Sequence, residues 1–164
     1  PLPQRVEMSQ CVVLDMVHSG KWSGALSEHT GFGELKAEVD VGDCDLMPWP
    51  DGGVRRIVTI VALSLERRSD RMVLTQIGKV SDGKRIGSCQ PPGTKVKVGE
   101  HSRLAIERLI KQKLTQLVDF IDVGGSSNDS EERVSKKYGV PSMYMRTLYN
   151  GVFDASDTEY VKVV

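Results

Sequence analysis

The sequence predicts a protein of the mixed α/β class. Three observations support this class: an apolar, β-branched run within residues 54–68, a helical repeat of apolar residues from His101 to Leu117, and an alternating segment at 142–153. Strands therefore precede and follow one central helix, which is typical of mixed α/β proteins. The length of 164 residues suits one domain with a core that needs no disulfide or metal to fold.

Residues 1–54 are predicted to be an N-terminal extension, and residues 55–164 a folded domain. In the extension, CVVLDMVHS (11–19) is predicted to form a strand. GELKAEVDV (33–41) predicts a half-buried strand, because its apolar residues alternate with mostly charged ones. Residues 42–53 are rich in Gly, Pro and Asp, which predicts a loop, and their acidic residues lack the spacing of a calcium-binding loop.

The domain is predicted to begin with residues 54–68, whose run IVTIVAL fits a central strand buried on both faces. Residues 71–80 are predicted to pair with this strand as a hairpin. The turn SDGK (81–84) is then followed by a third strand at 85–89. These segments together predict a sheet that precedes the helix.

The central helix is predicted from apolar residues spaced three and four positions apart between His101 and Leu117. Ile106, Ile110 and Leu114 form one stripe and are expected to face the sheet. Strand is predicted to resume at 117–123. The polar segment 124–139 is predicted to be flexible apart from one helical turn at 130–137. Residues 142–153 and 159–164 are predicted to be the last strands.

Composition excludes several functional classes. The formal net charge is zero, with 22 basic and 22 acidic residues, and aromatic residues make up only 5%. Both values argue against a nucleic-acid partner. The sequence has no apolar run approaching the roughly 18 residues of a membrane span, so no membrane partner is expected. The three widely spaced cysteines predict reduced thiols and an intracellular protein, cytoplasmic or nuclear. Because the chain begins with Pro1, it is expected to be part of a larger protein.

Residues 90–117, QPPGTKVKVGEHSRLAIERLIKQKLTQL, predict a turn, a short basic strand and a helix. Gly99-Glu100 opens the helix, seven residues separate Glu100 from Arg108, and the aliphatic Ile110 follows. This order of residues resembles the sequence box of the Nudix hydrolases. Pro92-Gly93 stands where that family has Pro-Gly-Gly.

The resemblance extends over residues 57–153, since the predicted hairpin and the segment PSMYMRTLYNGVF are similar to strands on either side of the family's helix. It implies a Nudix-like α/β/α sandwich, built on a mixed sheet with a central helix. Residues 1–54 would then be an N-terminal extension of a Nudix-like domain at 55–164. The helical turn at 130–137 is the candidate for the second helix of the sandwich.

The box departs from the family at the positions that bind metal. Leu109, Gln112 and Lys113 stand where three glutamates are expected, and Thr115 replaces a glycine. In the family such carboxylates hold magnesium against a diphosphate, because magnesium prefers hard, anionic oxygen ligands. Gln112 offers only a neutral oxygen, and Lys113 repels a cation.

These departures imply that the protein is not an enzyme, and that it has no catalytic residues, no metal ligands and no cofactor. The resemblance then implies an inactive Nudix-like module, a regulatory or scaffolding domain of a larger chain. Its partners would be another protein, the remainder of that chain, or a nucleotide diphosphate. The candidate ligand-binding residues lie in the box or in the basic strand before it: Lys95, Lys97, Glu100, Arg108 and Lys113.

Glu100 and Arg108 also have a structural interpretation. A carboxylate in the first turn of a helix interacts favourably with the helix dipole and accepts hydrogen bonds from loop N–H groups. Arg108, two turns further on, is expected to pair with Glu100 or with the loop before it.

The alternative is an active hydrolase of nucleoside-diphosphate derivatives that uses magnesium and displaced carboxylates. The acidic residues near the helix and after it supply the candidates Glu107, Asp119, Asp122 and Glu131. Magnesium binding discriminates the two hypotheses, because an enzyme of this kind needs the ion.

Two further groups of residues have a functional and a structural interpretation. Cys89 would line the cleft or, as is more common, be a buried core thiol. Leu46, Met47 and Trp49 would anchor a partner or pack on the protein itself. Basic residues that would surround the cleft, or else occupy solvated strand edges, are Arg55, Arg56, Arg67, Arg68, Arg71, Lys84, Arg85, Lys95 and Lys97.

Overall fold

A computed structural model describes residues 31–50, 53–81 and 83–154. In these residues helices and strands alternate along the chain, which confirms the mixed α/β class. The strands predicted at 11–19 and 159–164 lie outside the described residues. The elements are α1 (Phe32–Asp40), β1 (Asp45–Pro48), β2 (Val54–Arg67), β3 (Gln76–Ser81), β4 (Lys84–Gln90), β5 (Gly93–Lys95), α2 (Ser102–Lys113), a 3-10 helix (Thr115–Phe120), β6 (Ile121–Val134) and β7 (Pro141–Phe153).

The strands form two sheets. The larger has the order β1-β2-β7-β6, and β5 also pairs with β2. The pairs β1–β2 and β2–β5 are antiparallel, with Leu46 opposite Arg56 and Val61 opposite Thr94. The smaller sheet consists of β3 and β4, also antiparallel, with Lys79 opposite Ile86. None of the helices in the described residues is both long and apolar enough to span a lipid bilayer.

The described residues divide into two compact units, 31–59 with 130–145 and 60–129 with 146–154. In the first unit, the α1 residues Leu35 and Val39 are buried, together with Leu46 of β1 and Val58 of β2. These side chains form an apolar interior, to which burial contributes about 25 cal/mol per Å² of apolar surface. Leu46 is therefore not available as an interface anchor.

A buried arginine lies in the first unit. Arg56 is only 4% exposed, pairs with Glu38 of α1, and lies over the rings of Tyr138 and Tyr144. Burial opposes its charge, but the hydrogen bond to Glu38 outweighs that effect, so the pKa of Arg56 is raised. The prediction that Arg56 lies at a solvated edge or a cleft is therefore wrong, because its guanidinium is stacked and paired inside the unit.

In the second unit, α2 packs on β2. Ile106 and Leu109 of α2 and Leu63 and Leu65 of β2 are at most 1% exposed. Gly151 of β7 lies so close to β2 that an added Cβ would be 3.1 Å from Leu63 and 3.2 Å from Leu65. The helix position relevant to the candidate site is therefore fixed by close packing.

Residues 33–41 form helix α1 and not the predicted strand. Leu35 and Val39, four residues apart, are buried, whereas Ala37 and Val41 are exposed. The same four apolar residues satisfy an alternating pattern and, in part, a helical one. Burial of one helical stripe decides between the two. The adjoining segment, predicted to be a loop, contains the short strand β1 because its backbone pairs with β2.

Residues 121–134 form strand β6, so the predictions of a flexible segment and of a helical turn at 130–137 are wrong. Most of β6 is exposed, and its polar side chains give no strand pattern. Its backbone pairs with β7, and Ser135 N donates to Val140 O at 2.8 Å in the connection between them. Backbone pairing with a distant segment thus overrides local composition.

The segment after β2 differs in part from the predicted hairpin. Glu66 and Val73 form an isolated bridge, and Leu74 N donates to Leu65 O at 2.8 Å. From Gln76 onward the chain pairs with β4 instead, in the smaller sheet. The turn at 81–84 occurs as predicted, with Gly83 at a φ of 73°.

Candidate functional site

The candidate site of the second unit begins at the turn before β5. Leu63 N donates to Pro92 O at 2.9 Å, and β5 then pairs with β2. After β5 the chain makes a further turn, in which Glu100 N donates to Lys97 O at 2.9 Å. Gly99 has a φ of 81°, which favours glycine at this position. The loop between β5 and α2 is therefore held by hydrogen bonds at both ends.

Helix α2 begins one residue later than the sequence predicts. His101 is its N-cap, and its Nδ1 accepts a hydrogen bond from Arg103 N at 3.1 Å. Glu100 consequently lies just before the helix and not in its first turn. Asp, Asn, Ser and Thr are the usual capping residues, so the sequence gives no strong signal for a histidine cap.

Glu100 and Arg108 form a bidentate ion pair. Arg108 Nε donates to Glu100 Oε1 at 3.0 Å, and the Nη2 group donates to Oε2 at 2.9 Å. The same Nη2 group donates to Lys95 O at 2.9 Å. Glu100 Oε2 also accepts from Lys97 N at 2.9 Å. The structural interpretation of both residues is therefore present in the geometry, since Arg108 contacts both the glutamate and the preceding loop.

The electrostatics of the pair keep Glu100 ionised. The hydrogen bond from Arg108 lowers the pKa of the Glu100 carboxyl, and the bond from Lys97 N acts in the same direction. Both carboxylate oxygens are engaged by protein donors. Glu100 is thus a structural anion in this arrangement, and it has little capacity left to coordinate a cation.

Lys113 lies at the C-terminal end of α2 and is directed towards the turn before β5. Its Nζ donates to Gly93 O at 2.6 Å. Partial burial of the ammonium group, together with the positive charge of Lys79, lowers the pKa of Lys113. A lysine in this position supplies positive charge where the resemblance implies a metal ligand.

The described residues do not fit a magnesium ion held by the protein. Within them no group of three His, Cys, Asp or Glu side chains is placed to hold a metal ion. The exposed Glu107 pairs with Arg103 at 3.5 Å, and Glu131, in the first unit, lies 3.8 Å from Arg133. Glu100 is committed to Arg108. The geometry therefore gives no carboxylate cluster in place of the missing box glutamates.

The remaining candidates differ in their exposure. Lys95, on β5, is half-buried, and Lys97 is exposed. Cys89 is exposed, so the prediction of a buried core thiol is wrong; it lies on β4 of the two-stranded sheet, which leaves it open to solvent. Arg67 and Arg68 of the predicted basic cleft form surface ion pairs with Asp70 and Asp154. Such pairs agree with solvated edges.

One residue near the site was not predicted. Lys79, on β3, is close enough for its charge to affect the pKa of Lys113. The two lysines are 34 positions apart in the chain. No local pattern in the sequence signals such a contact, because it depends on how the two-stranded sheet is placed beside α2.

Comparisons with known proteins give one structural likeness. No family model matches the sequence, and no curated protein matches it. Among solved structures, the chain is similar to the Ap4A hydrolase of C. elegans. The two are 16% identical, the likeness covers 62% of this chain and 72% of that chain, and the TM-score is 0.41. A likeness of this size carries no argument about substrate or mechanism.

The expectation that the protein is not an enzyme is contradicted by this comparison, because the similar protein is named as a hydrolase. The expectation rested on Gln112 and Lys113 in place of glutamates. Those substitutions remove metal ligands from one helix, but they do not determine what the rest of the site binds. The predicted ligand-binding roles stay predictions.

Proposed function

We propose that the protein binds nucleoside-diphosphate derivatives in the second unit, at the loop 93–100 and the C-terminal half of α2, and hydrolyses their diphosphate. The observation that carries this proposal is the way Arg108 fixes that loop to the helix, through Glu100 and Lys95 O. The resemblance of residues 90–117 to the Nudix box supports the same ligand class.

The charges of this surface also support a phosphate ligand. Lys95, Lys97 and Lys113 all belong to the loop and helix that Arg108 connects. Charge-assisted hydrogen bonds from lysine to phosphate are stronger than bonds between neutral groups. Because Glu100 is neutralised by Arg108, its carboxylate does not cancel this attraction. The role derived from the structure is therefore to bind and orient the diphosphate.

The test is hydrolysis of a panel that includes ADP-ribose and dinucleoside polyphosphates, followed by chromatographic detection of products, in magnesium and in chelator. We expect turnover above the protein-free blank. In Lys113→Gln the apparent affinity should fall about tenfold, the order expected for one charged contact. Lys111→Gln is the matched control, because Lys111 is an exposed lysine on the last turn of the same helix.

The outcome that contradicts the proposal is equally specific. If no derivative is turned over, and millimolar ligand gives neither heat in calorimetry nor a thermal shift, the surface does not bind this class. Equal losses in Lys113→Gln and Lys111→Gln would indicate nonspecific charge and not a site.

A further inference from the structure

Two ammonium groups of the second unit lie near each other without an acidic partner. Lys113 ends α2, and Lys79 lies on β3 of the two-stranded sheet. Within the described residues neither lysine forms an ion pair, whereas Lys36 pairs with Asp40 and Lys137 with Glu34. The repulsion between Lys79 and Lys113 is therefore not relieved by a neighbouring carboxylate.

The structure accounts for one of these positive charges but not for the other. Lys113 donates to Gly93 O and lies at the C-terminal end of a helix, where a cation is favoured. Lys79 contacts no such group in the described residues, and its side chain is exposed. Two like charges held near one partly buried position have an energetic cost, which an anion between them would remove.

We infer that Lys79 and Lys113 together bind one phosphoryl group of the ligand. The inference rests on the proposed function for the class of ligand, and it adds a contact from β3. A phosphoryl group carries more than one acceptor oxygen, so two ammonium groups approaching from different elements bind it at once. The two-stranded sheet then contributes directly to recognition.

The experiment measures binding of inorganic pyrophosphate to the complete chain by calorimetry. We expect Lys79→Gln and Lys113→Gln each to weaken binding about tenfold, or 1.4 kcal/mol. The double variant should lose less than the product of the single losses, because both lysines contact the same group. The matched control is Arg85→Gln. Arg85 is opposite Val80, one position from Lys79, and therefore lies on the other face of the sheet.

A second measurement does not depend on hydrolysis. With the lysines labelled by reductive methylation, NMR titration should show a higher Lys113 pKa in Lys79→Gln than in the wild type, since a repelling charge is gone. Pyrophosphate should raise the Lys113 pKa in the wild type. An unchanged Lys113 pKa in Lys79→Gln would show that the two groups do not interact, and would overturn the inference.

The two proposals fail in different ways. Binding of pyrophosphate that depends on both lysines, without turnover of any derivative, supports the lysine pair and contradicts hydrolysis. Turnover that is unaffected by Lys79→Gln supports hydrolysis and contradicts the pair. If Lys79→Gln binds pyrophosphate as Arg85→Gln does, or the wild type does not bind it, the inference is wrong.

Discussion

Arg108 connects three parts of the second unit through one planar group. It donates to Glu100, to Lys95 O and, at 3.5 Å, to Thr94 Oγ1. A lysine could not reproduce this fork, because its ammonium is a point charge without fixed planar geometry. The pair of Glu100 and Arg108 therefore positions the loop before α2 even though the box lacks its metal-binding glutamates.

The pH dependence of stability should report this pair. The Glu100 pKa is lower in the folded state than the ordinary value of 4.5. Stability from a lowered carboxyl pKa is fully present above the unfolded pKa and is lost as pH falls through the folded pKa. At neutral pH, Glu100→Gln should reduce the free energy of unfolding by about 1–2 kcal/mol. The difference between wild type and variant should shrink below about pH 4.5.

Urea denaturation at a series of pH values measures this difference. Glu107→Gln is the matched control, because Glu107 pairs with Arg103 at 3.5 Å on the exposed face of the helix. Its change should stay within about 0.5 kcal/mol. A Glu100→Gln difference that persists unchanged at pH 3 would show that the carboxylate is not stabilised by Arg108.

Among the elements, α2 has the best-defined packing. Its stripe was predicted from spacing alone, and Ile106, Ile110 and Leu114 are all buried. Ile110→Ala should lower the free energy of unfolding by about 2–5 kcal/mol, the cost of a cavity at a buried site. Leu104→Ala is the control on the same helix, because Leu104 is 57% exposed and its truncation should cost less than about 1 kcal/mol. Similar losses at both positions, measured by chemical denaturation, would place the helix in the wrong orientation.

The accuracy of prediction differs between elements for a physical reason. β2 and α2 were predictable, because a β-branched apolar run and a helical stripe each specify one structure. In α1 the spacing of Leu35 and Val39 fits a helix or a strand, and packing decides. In β6 the exposed polar residues give no periodic signal, so the strand exists only through its pairing.

The candidate site divides in the same way. Glu100, Arg108 and Lys113 were predictable from their spacing in one continuous segment. The contribution of Lys79 was not, because it comes from a strand distant in sequence. The bond from Lys113 to Gly93 O was also not predictable, since it depends on where β5 ends relative to α2. Local patterns thus identify the residues of the loop and helix, but not what approaches them.

At the scale of the whole molecule, burial is unevenly distributed. Val61, Leu63 and Leu65 of β2 are fully buried. In the two-stranded sheet, Ile77 is 84% exposed and Val80 is 72% exposed. A sheet of two strands is only marginally stable by itself, because it buries little apolar surface. The resistance of the backbone to opening should therefore differ widely within the second unit.

Native-state hydrogen exchange, followed by mass spectrometry of peptides, should reveal this difference. Amides of residues 61–65 should exchange only when the protein unfolds globally, because their strand is buried. Amides of β3 and β4 should exchange at least about tenfold faster, through local opening of the two-stranded sheet. Pyrophosphate should slow exchange in β3 if Lys79 contacts it, since a ligand stabilises the state that it binds. It should leave β3 unchanged in Lys79→Gln. Equal protection of β3 and residues 61–65 without ligand would show that the two-stranded sheet is as stable as the core.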